Sequence, residues 1–170
     1  EPRFFEHCLY ELTLKNMLDG GYLTQPVQID APVASYDFSS LELPTGSQTY
    51  RLEDIEAILK DQSRITPIIV KNIIELSASR KGVILFTASV RHAQEILRSL
   101  PADKSALLIG DTPSQERDEL ITLFKAQKLK YLVNVSVLTT GFDAPHVDVI
   151  AILRPTESVS LYQQIVGRGL

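Results

Sequence analysis

A chain of 170 residues has the length of one domain with a small appendage, and 44% hydrophobic against 22% charged residues is an ordinary globular balance. A net charge of -4 and a pI near 5.4 exclude indiscriminate nucleic-acid binding by the whole surface, though not a local basic track. No apolar run approaches the roughly 20 residues of a membrane span and no signal peptide is visible, while a single cysteine, Cys8, excludes an internal disulfide framework and suits a reducing cytoplasm.

Residues 1–30 read as a bridge that ends in a first strand. Thr13 can cap a short helix with Leu14, Met17 and Leu18 on one face and Gly20-Gly21 closing it, and Pro26 to Ile29 then predicts a strand. His7 and Cys8 lack a second cysteine partner, so no metal site is expected there. Residues 31–80 read as a loop with Pro32, Pro44 and Gly46, then two helices, Leu52 to Leu59 and Ile65 to Leu76. In the second, Thr66-Pro67 supplies an N-cap and a first-turn proline, with Ile65, Ile68, Ile69, Ile73 and Leu76 on one apolar face.

From residue 81 the alternation becomes regular. Strands are predicted at Gly82 to Phe86, Ala106 to Ile109, Tyr131 to Val135 and Val147 to Leu153. Helices are predicted at Val90 to Leu100 and Ser114 to Phe124, with a short helical segment carrying Gln163, Gln164, Gly167 and Arg168. Strands alternating with ten-residue helices mean βαβ units, right-handed crossovers and a three-layer α/β fold with a parallel sheet. The last two strands, apolar and β-branched, are expected to be buried on both faces. Ligands of such sheets gather at the carboxyl ends of the strands, so the turn Thr139 to Pro145 and the final helix are expected along one rim.

Within that turn Gly141 lets a ligand approach the backbone closely, and Asp143 is an acceptor suited to a ribose hydroxyl or to a water on a bound metal. Arg168 is a permanent cation that can grip phosphate oxygens in a fork, which suits charge building on a transferring phosphoryl group. Ser89 reads equally as a helix N-cap. Arg117, beside Glu116, Asp118 and Glu119, reads also as an ion-pair partner, and His92 and His146 read as surface histidines.

Thr139-Thr140-Gly141-Phe142-Asp143-Ala144-Pro145 followed by Gln163-Gln164-Ile165-Val166-Gly167-Arg168 resembles motifs V and VI of superfamily 2 helicases. Val83 to Ser89 resembles motif IV, and Gly110 to Arg117 the segment that follows it. The spacing is similar to the second RecA-like (P-loop NTPase-like) domain of such motors over residues 81–170, and the RadD-type bacterial DNA repair helicases resemble the chain throughout.

This resemblance implies an ATP-dependent helicase or translocase acting in DNA repair. Arg168 and Gln164 would serve catalysis, and Gly141, Asp143 and Gly167 would meet the nucleotide. Ser89, Arg91, Gly110, Arg117, Asn134, Ser136, Thr139 and Thr140 would touch a strand's phosphates and sugars. The implied cofactors are ATP and Mg²⁺, held mainly by the first RecA-like domain of the same protein. The implied partners are single-stranded or forked DNA, that first domain, single-strand-binding protein and the RecA recombinase, with no membrane.

Ser114 departs from a pattern in which many relatives carry Gln, and the chain stops one position before the second arginine of motif VI. No G-x-x-x-x-G-K-[ST] loop occurs, so the chain is expected to be half an active site and inactive alone. Two other functions fit the same residues: the motor subunit of a restriction system, and a non-catalytic interaction domain that kept the fold.

Overall fold

The computed structural model describes residues 14–29, 34–47, 49–138, 142–156 and 159–169. The elements are α1 (Leu14–Asp19), α2 (Leu52–Asp61), α3 (Thr66–Leu76), β1 (Gly82–Thr87), α4 (Val90–Ser99), β2 (Ser105–Leu108), α5 (Ser114–Lys125), β3 (Tyr131–Asn134), β4 (Val147–Leu153) and α6 (Val159–Val166). The strands form a wholly parallel sheet in the order β2-β3-β1-β4, the three-layer α/β arrangement that the alternation predicts.

Side-chain alternation builds two cores from one sheet. Ile84 and Phe86 of β1 join Leu108, Leu132, Phe124 of α5 and Ile165 of α6 on one face. Val83 and Leu85 point the other way, to Tyr131, Val133, Ile69 and Val70 of α3, and Ala93 and Ile96 of α4. Central β1 and β3 are buried along their whole length.

β4 differs from expectation. It is an edge strand, and Val149 to Ile152 are only half-buried because no described strand covers its outer side. The register slips between Gly82 and Val83, so that Gly82 faces Val147 and Val83 faces Val149. This bulge leaves Asp148 unpaired in the ladder and turns its carboxylate onto the amides of Lys81 and Gly82, at 3.0–3.2 Å. It also flips Val147 to the opposite core from Val149.

Three further expectations change. Residues 24–29 form no strand; Val27 is 83% and Ile29 62% exposed, and an extended segment without a partner edge has no ladder to join. Thr66 lies inside α3, whose N-cap is Ile65, because the Thr66 hydroxyl is taken by Tyr36 at 2.9 Å. The buried face of α3 is Thr66, Ile69 and Val70, leaving Ile68 and Leu76 about half exposed.

His92 is 3% exposed and not a surface residue. Its Nε2 meets the Tyr36 hydroxyl at 3.0 Å and its backbone amide donates to Ser89. Burial pushes its pKa down to about 4 and pushes the Tyr36 hydroxyl up to about 12. His146 is half-buried against Phe124, with ring centroids 4.9 Å apart. A Cβ at Gly82 would lie 2.8 Å from the His146 ring, so this glycine permits the close approach of β1 to the residue before β4.

Candidate nucleotide and nucleic-acid surfaces

Because all four strands are parallel, their carboxyl ends share one rim. Thr87 to Ser89, Gly110, Asn134 to Ser136 and Arg154 therefore lie along it. The chain between β3 and β4 must return to the amino end of the sheet before β4 can start beside Gly82. Phe142 lies toward that end, on Phe124 in the last turn of α5. Helix α6 descends as well, leaving Arg168 at its foot. The single rim expected from the sequence is thus two places: an upper edge, and a flank carrying Phe142, Asp143, Gln164, Gly167 and Arg168.

On the flank, Phe142 is the fixed point. Its ring is buried in the α5–α6 core, 6.2 Å from Phe124, and its carbonyl oxygen accepts a hydrogen bond from Arg168 Nη1 at 2.8 Å. Asp143 follows directly and is exposed. Gln164 and Gly167 are exposed at the end of α6, and the amide of Gly167 continues the helix by donating to the Gln163 carbonyl. A Cβ at Gly167 would come to 3.0 Å from that carbonyl oxygen. The half-buried Arg168 guanidinium therefore rests on the carbonyl of the residue that precedes exposed Asp143.

On the upper edge, Ser89 is buried and caps α4 by accepting the His92 amide at 3.2 Å, while Arg91 is exposed one residue into the helix. Gly110 is exposed after β2, and its carbonyl accepts from Arg117, which donates also to Thr112. Arg117 thus holds its own loop through carbonyls, where an ion pair was one expectation. Asn134 is fully buried: Oδ1 accepts the amides of Val137 and Leu138 at 3.0 Å, so its side chain shapes the turn from within. Ser136 is exposed with φ of 54°, and its hydroxyl accepts from Arg154 Nη1 at 3.1 Å. Thr139, Thr140 and Gly141 lie outside the described residues.

Sequence reasoning missed Arg154 and the anchoring role of Phe142. Arg154 could have been found by its position, since it is the cation that directly follows β4 at the carboxyl edge. Phe142 carried no such signal, because an aromatic in a polar turn does not announce which core receives it.

The sequence contains no G-x-x-x-x-G-K-[ST] phosphate loop, and on the flank Arg168 sits on the carbonyl that precedes exposed Asp143. Comparison with known proteins agrees with the fold. The model of the helicase conserved C-terminal domain matches residues 66–170. The putative ATP-dependent helicase IRC3 of Saccharomyces cerevisiae is 26% identical over 97% of this chain and 24% of its own length. The putative mitochondrial ATP-dependent helicase irc3 of Schizosaccharomyces pombe is 39% identical over 57% of this chain and 16% of its own. The EcoKI endonuclease subunit, a type I restriction enzyme of Escherichia coli, is 25% identical over 94% of the chain and 15% of that protein.

This chain spans a quarter or less of the length of each of these relatives. Among solved structures, the C-terminal domain of the DEAD-box protein Dbp5 superposes with a TM-score of 0.51 at 28% identity, over 58% of this chain and 61% of that one. T4 UvsW shares the fold at a TM-score of 0.54 and 21% identity, covering 69% and 24%. The parallel α/β sheet is accordingly of the RecA-like kind. The chain belongs to the helicase conserved C-terminal domain family of superfamily 2.

Proposed function

We propose that the chain is the second motor domain of an ATP-dependent DNA helicase or translocase, presenting the flank to nucleotide and the upper edge to a strand. The observation that carries this reading is the contact of Arg168 with the Phe142 carbonyl, one residue before exposed Asp143. A guanidinium presents its donors in a rigid, permanently charged fork, a geometry that suits phosphate oxygens. Asp143 suits a ribose hydroxyl or a metal-bound water. ATP and Mg²⁺ would be held mainly by the first RecA-like domain, with Asp143, Gln164, Gly167 and Arg168 closing from this side and Gly141 beside them. Bound ATP supplies the phosphoanhydride whose cleavage powers the motor.

Phe142 gives the closure its mechanical path. It is fixed to α5 by its ring and to Arg168 by its carbonyl, and the same turn begins at Ser136 on the strand-facing edge. A residue held both by a packed ring and by the Arg168 guanidinium is the kind of anchor through which ligand closure can become domain motion. Backbone contacts from Arg91, Gly110, Arg117, Ser136, Thr139 and Thr140 carry no sequence information, which suits a motor that steps along any sequence, while buried Ser89 acts by capping α4. Asn134, being buried, acts by holding the Ser136 turn.

The similarity to RadD-type proteins supports a role in DNA repair, with single-strand-binding protein and RecA as partners. The 25% identity to the EcoKI subunit over 94% of the chain favours a second reading, a restriction motor. Purified full-length protein decides between them. Single-stranded DNA should stimulate its ATP turnover, and a nuclease activity dependent on ATP would favour the restriction reading. Absence of stimulated turnover would overturn both, and robust turnover by residues 1–170 alone would refute the half-site.

A further inference from the structure

We infer that Arg154 is a phosphate contact for the bound strand, seated by Ser136. The inference rests on the proposed strand-facing role of the upper edge and adds to it a cation that the expected track does not contain. Arg154 directly follows β4, at the carboxyl end of the sheet, and its Nη1 reaches across to the Ser136 hydroxyl at 3.1 Å. A hydroxyl neutralises no charge. No carboxylate among the described residues pairs with Arg154, so a half-buried guanidinium keeps its full charge at the edge of a protein whose net charge is -4. Burying an unneutralised cation is costly unless an anion completes it.

The surroundings point to an acceptor-rich ligand. Arg154 Nε and Asn134 Nδ2 are both shielded from solvent and have no hydrogen-bond partner among the described residues. Both belong to side chains that grip one turn, Asn134 from within through the Val137 and Leu138 amides and Arg154 from outside through Ser136. Ser136 itself adopts φ of 54°, a left-handed conformation uncommon for a residue with a side chain. A turn fixed on both sides, with an unneutralised cation on its outer side, is a preorganised seat for one phosphate.

Strand phosphate is favoured over nucleotide phosphate by position. Arg154 stands at the head of the descent that α6 makes and Arg168 at its foot, and the eight residues of α6 rise about 12 Å. Arg168 lies beside Asp143 on the flank; Arg154 lies with Ser89, Gly110 and Ser136 on the edge. One triphosphate at the flank does not extend to both.

The test uses the full-length protein and a fluorescein-labelled oligo-dT strand, with affinity measured across a salt series. Losing one phosphate contact on a single strand lowers the slope of log affinity against log salt by about 0.7. Arg154→Gln should show that loss, with affinity near 100 mM salt reduced by about tenfold, while the KM for ATP without DNA stays at the wild-type value. Arg154→Lys, which keeps the charge, should retain the wild-type slope. Ser136→Ala should weaken binding without changing the slope.

A wild-type slope in Arg154→Gln, whatever its affinity or melting temperature, would overturn the assignment, because a structural role alters affinity without altering counterion release. A slope lost equally in Arg154→Lys would also overturn it. Wild-type protein that binds no strand would sink the strand-facing edge and the Arg154 contact together. A binding wild type with an unchanged Arg154→Gln slope sinks only the latter.

Discussion

The Nη1 of Arg168 donates to the carbonyl oxygen of Phe142 at 2.8 Å, tying the residue beyond α6 to the turn that carries Asp143. The two residues are 26 positions apart, separated by all of β4 and α6, yet the contact sets a cation beside a carboxylate on one flank. Phe142 is held independently by its ring against Phe124, so the guanidinium rests on a rigid support.

That support predicts a division between binding and turnover. In the full-length protein Arg168→Ala should lower ATP turnover by about 10³-fold or more, the scale on which a guanidinium stabilises phosphoryl transfer. Nucleotide affinity should stay within about tenfold, because the proposed function assigns the phosphate cradle to the first RecA-like domain. Steady-state kinetics with a fluorescent-nucleotide titration read both quantities. Normal turnover would remove Arg168 from its assigned role.

Gly82 offers a prediction about packing alone. An added Cβ would lie 2.8 Å from the His146 ring and 3.2 Å from its carbonyl oxygen, and the adjacent register is fixed by Asp148. Neither neighbour retreats easily, since the ring is packed on Phe124. Gly82→Ala should therefore destabilise the domain by about 1–3 kcal/mol, although Ala outranks Gly by conformational entropy in most strands. Urea unfolding measures the difference; a variant as stable as wild type would contradict the crowding.

Asn134 separates a structural role from direct contact. Asn134→Ala leaves the Val137 and Leu138 amides without their acceptor in a buried turn, at a cost of about 2–4 kcal/mol for two lost hydrogen bonds. Binding of DNA should weaken through the distorted turn while the salt slope stays at the wild-type value, since a fully buried amide neutralises no phosphate. An Asn134→Ala protein as stable as wild type in urea unfolding would remove this structural role.

The parallel sheet, every helix from α2 onward and the position of each strand to within a residue or two were legible in the sequence, because apolar periodicity and burial are local signals. The sequence named candidate residues but not where the fold puts them. Asp143 and Arg168 were expected on the same rim as Ser136; Phe142 instead packs on the last turn of α5, and no periodicity encodes where a loop residue packs. Burial of polar groups was the other blind spot. His92, Ser89 and Asn134 read as surface or ligand-facing residues, yet each is consumed by partners far away or by its own turn, and only tertiary contacts reveal this.

His92 makes the stability of the fold depend on pH. Buried on α4 against Tyr36, it has a pKa of about 4, against an ordinary value of 6.5. The unfolded chain therefore takes up the proton first as pH falls through 6.5. Stability contributed by neutral His92 is fully present above that value, drains between about 6.5 and 4, and is gone below. The difference of about 2.5 pKa units corresponds to about 3 kcal/mol. Denaturation at pH 7, 6, 5 and 4 should show wild type losing this amount relative to His92→Gln, which has no proton to gain. Parallel losses in both proteins would assign the acid sensitivity to carboxylates and remove His92 as its source.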